Sequence, residues 1–84
     1  LQQVLNPGNF ARVKPGMMME EVRRMLGKPA KAITYSLKNE TAWDWRYLEP
    51  PNTQLVFTVW FNSEYRVLRT TTGPDQDAME HQGK

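Results

Sequence analysis

Acidic and imidazole side chains near the end of the chain are of the types that bind metal ions. They are Asp75, Asp77, Glu80 and His81. Their spacing matches neither a closed zinc site nor an EF-hand loop, and the polar segment around them offers no core that could fix ligand geometry. We therefore expect a solvated, mobile tail here, and we predict no metal and no other cofactor.

The residue types that catalysis requires do not form a recognisable set. The single histidine lies in the same tail, and Ser36 and Ser63 fall in predicted loops. No glycine-rich phosphate loop follows a predicted strand, and the carboxylates are scattered without an apolar pocket to raise a pKa. The absence of cysteine removes disulfides, zinc–thiolate sites and thiol catalysis. The sequence predicts a protein that is not an enzyme.

Aromatic side chains on two alternating segments are the next candidates. They and one valine are Trp43, Trp45, Tyr47, Phe57, Val59 and Phe61. A period of two places each set on one face of a strand, and packing in the core is the expected role. Stacking of single-stranded nucleic acid would need these rings on an open face beside basic residues. Because the net charge is only +2, we expect no nucleic acid partner.

Trp60 differs from these rings because alternation sends it, with Val56, to the uncovered face of the sheet. Asp44 and Arg46 are expected as its cross-strand neighbours. An exposed tryptophan flanked by arginine is typical of the anchor of a protein interface. The alternative is that Trp60 packs under the C-terminal tail or under the loop formed by residues 30–40. Both arrangements fit the sequence.

A short amphipathic helix is predicted before the sheet. Its apolar side chains repeat at helical spacing, as Val22, Met25 and Leu26. Met18 takes the N-cap position, where a capping oxygen is missing, and Glu21 then falls at the third position of a capping box, with Met17 stapled onto Val22. Gly27 suits a left-handed C-terminal cap, and Pro29 prevents continuation.

The other face of this helix carries basic side chains. Arg23, Arg24 and the following Lys28 would meet anionic lipid headgroups or an acidic partner, or would simply form a solvated helix face, which is the commoner arrangement.

The remaining pattern predicts an α+β fold. Asn9 is expected to cap a first helix over Phe10–Val13, and strands are expected at 43–47, 55–61 and 67–72. Residues 30–40 are ambiguous, since Ala32–Leu37 could add an edge strand. We predict two short helices on one face of a three-stranded antiparallel sheet, with a lead-in at 1–8, a domain at 9–72 and a tail at 73–84. A monomer is expected.

These elements resemble the SmpA/OmlA family of small, BamE-like outer-membrane lipoproteins over residues 9–72. The matching residues are Val13, Pro15-Gly16-Met17, Glu20-Glu21-Val22, Leu26-Gly27-Lys28-Pro29, Trp45-Arg46-Tyr47, Phe61-Asn62 and Val67. Three features depart from the family pattern. The lipid-bearing cysteine is absent, Met18 replaces a Thr or Ser cap, and Tyr65 stands where glycine is common.

The resemblance implies a non-catalytic adaptor on the periplasmic side of the outer membrane. Its partners would be proteins of outer-membrane assembly or envelope maintenance, with anionic lipid headgroups as a further contact. The lipid anchor would belong to a longer precursor, which could carry a second such unit upstream. The partner-binding residues we expect are Trp60, Arg46, Val56, Arg23 and Arg24. Fold-level analogy also leaves open a β-lactamase-inhibitor-like protein that binds an enzyme across its sheet.

Overall fold

The computed structural model describes residues 4–75, which form two layers. The helices are α1 (Pro7–Phe10) and α2 (Met19–Leu26), and the strands are β1 (Lys31–Tyr35), β2 (Glu40–Glu49), β3 (Thr53–Phe61) and β4 (Val67–Pro74). Each strand pairs antiparallel with the next, in the order β1-β2-β3-β4. The predicted α+β class with two short helices and an antiparallel sheet is confirmed.

The prediction of three strands was wrong, because the described residues form four. The added strand is β1, so the edge-strand alternative for residues 30–40 is confirmed. β1 pairs along its length with the start of β2, and the hydroxyls of Thr34 and Thr41 lie 3.2 Å apart across that pair. Only Ile33 in β1 is even half-buried. The strand therefore depends on its pairing with β2 and not on an apolar pattern of its own.

The first helix begins earlier than predicted. Asn6, and not Asn9, is the N-cap, and its side-chain oxygen accepts a hydrogen bond from the Asn9 N–H at 2.9 Å. Pro7 takes the first helical position, where its fixed φ suits the helix and its missing N–H costs nothing. Phe10 still points into the core, as does Val13 just beyond the helix.

The second helix has the predicted ends. Met18 is the N-cap without a side-chain hydrogen bond, and Gly27 is the C-cap, whose N–H donates to the Arg23 carbonyl at 2.8 Å. Gly27 has φ 85° and ψ −167°, so its φ is positive as expected but its conformation is not the left-handed helical one that the sequence predicted. A positive φ favours glycine because that residue has no Cβ to clash. Val22 and Leu26 are buried, and Met25 packs beside them.

The first N–H of this helix finds its acceptor in the backbone of the turn between β3 and β4. The Met19 N–H donates to the carbonyl of Tyr65 at 2.9 Å, and Tyr65 itself has φ 64°. Two more backbone bonds, from Gly16 to Val67 and from Val67 to Met17, are each 2.8 Å long. The segment before α2 is thereby held against the beginning of β4.

The core lies between the helices and one face of the sheet. The Phe10 ring stacks on Phe57 at 4.1 Å between centroids and meets the Tyr47 ring edge-on at 4.8 Å. Trp45 is 2% exposed, and its indole N–H donates to the Gly27 carbonyl at 3.3 Å. The predicted inner face is confirmed, with Trp43 partly buried against the others.

Burial, followed by the nearby negative charge of Glu49, raises the pKa of the Tyr47 phenol above its ordinary value. A phenol that ionises less readily in the folded protein than in the unfolded chain costs stability at alkaline pH. The stability that the neutral, buried phenol contributes is fully present at pH values below the pKa of tyrosine in the unfolded chain. It is lost as the pH rises through the higher pKa of Tyr47 in the folded protein.

We expect Met18→Thr to raise the free energy of unfolding by about 0.5 to 1 kcal/mol, because a threonine hydroxyl can accept from the exposed N–H groups of the first helical turn. Met18→Ala is the control, since it removes the same side chain without adding an oxygen. Urea denaturation of both variants measures the difference. A midpoint below that of the parent for Met18→Thr would show that residue 18 does not cap the helix.

We expect Tyr47→Phe to lose less stability than the parent between about pH 9 and 11, because the variant has no buried phenol to ionise. The exposed Tyr65→Phe variant is the control and should follow the parent curve. The measurement is the urea midpoint as a function of pH. Parallel curves for Tyr47→Phe and the parent would contradict the assigned cause.

Candidate functional site

The open face of the sheet, opposite the helices, carries a group of ring and charged side chains that we call the aromatic–cation cluster. Its members are Tyr35, Lys38, Glu40, Trp60 and Arg69. The Tyr35 and Trp60 rings lie 5.6 Å apart, and the Arg69 guanidinium lies 4.8 Å from the Trp60 centroid. Lys38 Nζ lies 5.3 Å from the Trp60 centroid and 5.7 Å from that of Tyr35. Cations at such distances are attracted to the faces of the rings.

Strand register brings the cluster together from all four strands and one hairpin. Trp60 pairs with Arg69 on β4 and with Ala42 on β2, while Tyr35 at the end of β1 pairs with Glu40 at the start of β2. Lys38 lies in the hairpin that joins β1 to β2. Glu40 Oε1 accepts a hydrogen bond from Arg69 Nη2 at 2.9 Å, which holds the guanidinium in position over the indole.

Trp60 is half-buried by these neighbours, and its indole nitrogen is fully buried. No acceptor within residues 4–75 reaches that N–H. A buried donor without an acceptor is costly, typically by about 1–3 kcal/mol. The structure combines the two alternatives for Trp60, exposure on the open face and packing under residues 30–40. The ring lies on the open face and is partly covered by the β1–β2 hairpin.

The expected neighbours of Trp60 were wrong. Asp44 pairs with Thr58, and Arg46 pairs with Val56, so neither lies directly across from the indole. The reason is the register between β2 and β3, which places Ala42 opposite Trp60. Val56 and Trp60 are four positions apart on β3. At roughly 3.3 Å per residue, Arg46, which pairs with Val56, therefore lies about 13 Å from Trp60 along the face.

Arg46 and Val56 belong to a second feature of the open face, a depression of about 410 Å³ that we call the polar groove. Its other lining residues are Ala30, Lys31, Asp44, Thr58, Thr71, Thr72, Gly73, Pro74 and Asp75. Arg46 Nε lies 3.6 Å from Asp75 Oδ2, and the Arg46 side chain is 51% exposed. Thr58 donates to Asp44 Oδ1 at 2.8 Å. These contacts give the groove ordered charges with an exposed guanidinium at its edge.

Arg23 and Arg24 do not join the other predicted site residues. Both are exposed on α2, whose buried side packs on the inner face of the sheet. The helix layer therefore separates them from Trp60, Val56 and Arg46, and the five predicted residues form two surfaces on opposite sides of the molecule.

Sequence reasoning missed Tyr35, Lys38 and Arg69. Tyr35 and Lys38 lie in the segment that was left ambiguous. Arg69 meets Trp60 only because of the irregular pairing at Trp60 and Phe61, where the register between β3 and β4 shifts. Alternation along residues 67–72 could have indicated which side chains share a face with Arg69. The sequence of the β3–β4 turn does not indicate the register shift, so the pairing of Arg69 with Trp60 was not predictable.

Within residues 4–75 no three histidine, cysteine or carboxylate side chains gather in a way that could hold a metal ion. Asp77, Glu80 and His81 lie outside the described residues, as does most of the predicted tail. The expectation of a solvated tail was wrong for residues 73–75, because Gly73 and Pro74 belong to β4 and Asp75 is 5% exposed beside Arg46. No helix of the described part is long and apolar enough to span a membrane.

The fold and this surface define a small two-layer α+β domain, with helices on one side of a four-stranded meander and an aromatic-bearing face on the other. The chain belongs to the family described as the outer membrane protein assembly factor BamE domain, whose sequence model matches residues 3–71. A comparison with curated proteins finds no match.

A solved structure described as a putative osmotically inducible lipoprotein, OsmE, is similar in fold. The two share 20% sequence identity, the match covers 94% of this chain and 90% of that chain, and the TM-score is 0.70. At this identity the likeness concerns the fold, and it agrees with the family assignment.

We expect Trp60→Phe to change the free energy of unfolding by less than about 1 kcal/mol, because removal of the unsatisfied donor offsets the loss of ring area. Trp45→Phe is the matched comparison and should cost about 2 kcal/mol or more, since that indole is buried and hydrogen-bonded. Urea unfolding measures both. Equal losses in the two variants would contradict the reading of Trp60 as a surface residue with an unsatisfied N–H.

Proposed function

We propose that the protein is a non-catalytic adaptor domain on the periplasmic side of the outer membrane. It supports outer-membrane protein assembly or envelope integrity by binding other proteins of that machinery. Membership of the BamE domain family supports the process and the location. A lipid anchor on a longer precursor and a monomeric state are part of the same proposal, for a domain whose elements run from α1 at Pro7 to the end of β4 at Pro74.

The docking surface in this proposal is the open face of the sheet. Trp60 is the anchor, and Val56 on β3 and its partner Arg46 on β2 extend the contact along the face. The observation that carries this assignment is the half-buried Trp60 ring, held between Lys38 and Arg69 on a face that no helix of the described chain covers. Tryptophan and arginine are the residues most often found to dominate binding energy at protein interfaces.

Arg23 and Arg24 form a second, weaker contact in the proposal. Their exposed guanidinium groups suit acidic protein surfaces or anionic lipid headgroups. Because they lie on the helix side, a partner on the open face does not reach them. Their contribution is therefore expected to be separable from that of Trp60.

We expect Trp60→Ala to reduce co-purification with outer-membrane assembly proteins from the native envelope by about tenfold or more, as for a central interface anchor. Thermal unfolding tests that the variant is folded, and Trp60→Phe, which keeps a ring but lacks the indole N–H, separates ring contact from donation by that N–H. Tyr65→Ala is the control, because Tyr65 is a 59% exposed ring away from the cluster.

The same co-purification measurement on Arg23→Gln/Arg24→Gln gives the contribution of the helix surface apart from that of the open face. We expect a smaller loss of co-purification than for Trp60→Ala. Unchanged co-purification of a folded Trp60→Ala variant would remove the open face as the docking surface. A loss of equal size in Tyr65→Ala would show that the effect is not specific to the cluster.

A further inference from the structure

We propose that the aromatic–cation cluster binds a carboxylate-rich, extended segment of a protein partner. This inference rests on the proposed function, because it names the chemistry of the partner at the same face. Two properties of the cluster favour an anionic acceptor, a third offers contact area for the rest of the partner chain, and the surface leading into the polar groove favours a polypeptide over a lipid.

The first property is charge. Lys38 and Arg69 both approach the Trp60 ring, and Glu40 is the one carboxylate hydrogen-bonded to them among the described residues. The five members of the cluster thus carry a net charge of about +1 at neutral pH. A guanidinium has five N–H donors, so the single bond to Glu40 leaves Arg69 able to donate to a second carboxylate.

The second property is the unsatisfied indole N–H of Trp60. This atom is buried, and it lacks an acceptor within residues 4–75. A carboxylate that draws the Lys38 ammonium away from the ring can accept from the indole at the same time. One incoming group would then satisfy a buried donor and neutralise a cation together, whereas a neutral carbonyl can accept from the donor but cannot neutralise the charge.

The third property is the exposed ring of Tyr35, which is 39% exposed beside Trp60. Aromatic rings with two rotatable bonds provide contact area at low entropic cost. Tyr35 therefore offers a surface for the apolar atoms of a chain whose carboxylate reaches Lys38 or Arg69.

The surface leading away from the cluster suits an extended polypeptide. Thr58 and Thr71 pair across β3 and β4 at the end of the polar groove nearest the cluster, so this part of the face is polar and unsuited to acyl chains. Arg46, which lies beyond Thr58 as seen from the cluster, is 51% exposed while it contacts Asp75, and it provides a second cation further along the groove. In an extended chain, two acidic residues four positions apart lie about 13 Å from each other, which matches the distance along the face from Trp60 to Arg46.

The test follows the indole N–H signal of Trp60 in two-dimensional nuclear magnetic resonance spectra of the full chain. The chain has three tryptophans, and Trp60→Phe assigns the signal. The probes are hexaglutamate and hexaglutamine peptides with blocked ends, at about 50 mM salt so that exposed charges are only partly screened. We expect a saturable shift with hexaglutamate and binding at least about tenfold weaker with hexaglutamine.

Matched variants establish the residues responsible. Lys38→Gln/Arg69→Gln should weaken hexaglutamate binding by about fivefold or more, as expected for loss of charge-assisted hydrogen bonds. Arg12→Gln/Lys14→Gln removes the same charge from exposed positions near α1 and should leave binding unchanged. Vesicles that contain phosphatidylglycerol form the lipid arm.

Equal shifts with the two peptides, no shift with either, or equal weakening in the two double variants would overturn the proposal. A shift of the Trp60 signal with vesicles but not with hexaglutamate would assign the cluster to lipid instead. Any of these results together with a loss of co-purification in Trp60→Ala would leave the open face as the docking surface, but for a partner of different chemistry.

Discussion

The structure depends on the burial of one face of β2 and β3 beneath two very short helices. Phe10, Val22 and Leu26 supply most of the helical side of this contact, and Trp45, Phe57 and Phe61 supply the sheet side. A helix of four residues and another of eight cannot persist alone in water, so each exists because it covers the rings below it. Since the helices cover only one face, the side chains that alternate away from the core remain available for other contacts.

That division explains how much the sequence could predict. The inner face followed from period-two alternation, and the ends of α2 followed from Met18, Gly27 and Pro29, because these signals act within a few residues. The sequence left β1 ambiguous because the stability of this strand comes from pairing with β2 and not from burial. The start of α1 was misplaced because both Asn6 and Asn9 are competent caps, and only the position of Pro7 distinguishes them.

The candidate site was predictable only in part for the same reason. Alternation placed Trp60 on the open face, since that depends on one strand alone. Its companions depend on the register of three strand pairs, and a shift of one position exchanges which side chains meet. Arg69 and Tyr35 replaced the expected Asp44 and Arg46, which lie further along the sheet. The resulting cluster concentrates positive charge and an unsatisfied donor where the sequence indicated only an exposed ring.

The backbone bonds that join residues 16–19 to residues 65–67 do more than replace a capping side chain. They occupy the outward-facing N–H and C=O of Val67, and the Arg66 guanidinium adds a bond to the Gly16 carbonyl at 2.9 Å. An unpaired border of a sheet is a template for association with another chain, and native proteins cover such borders. In this molecule residues 16–19, which lead into α2, cover the first residue of β4 and prevent a strand of another chain from pairing with it there. A loosened linker would therefore expose that border and favour self-association, even with the core intact.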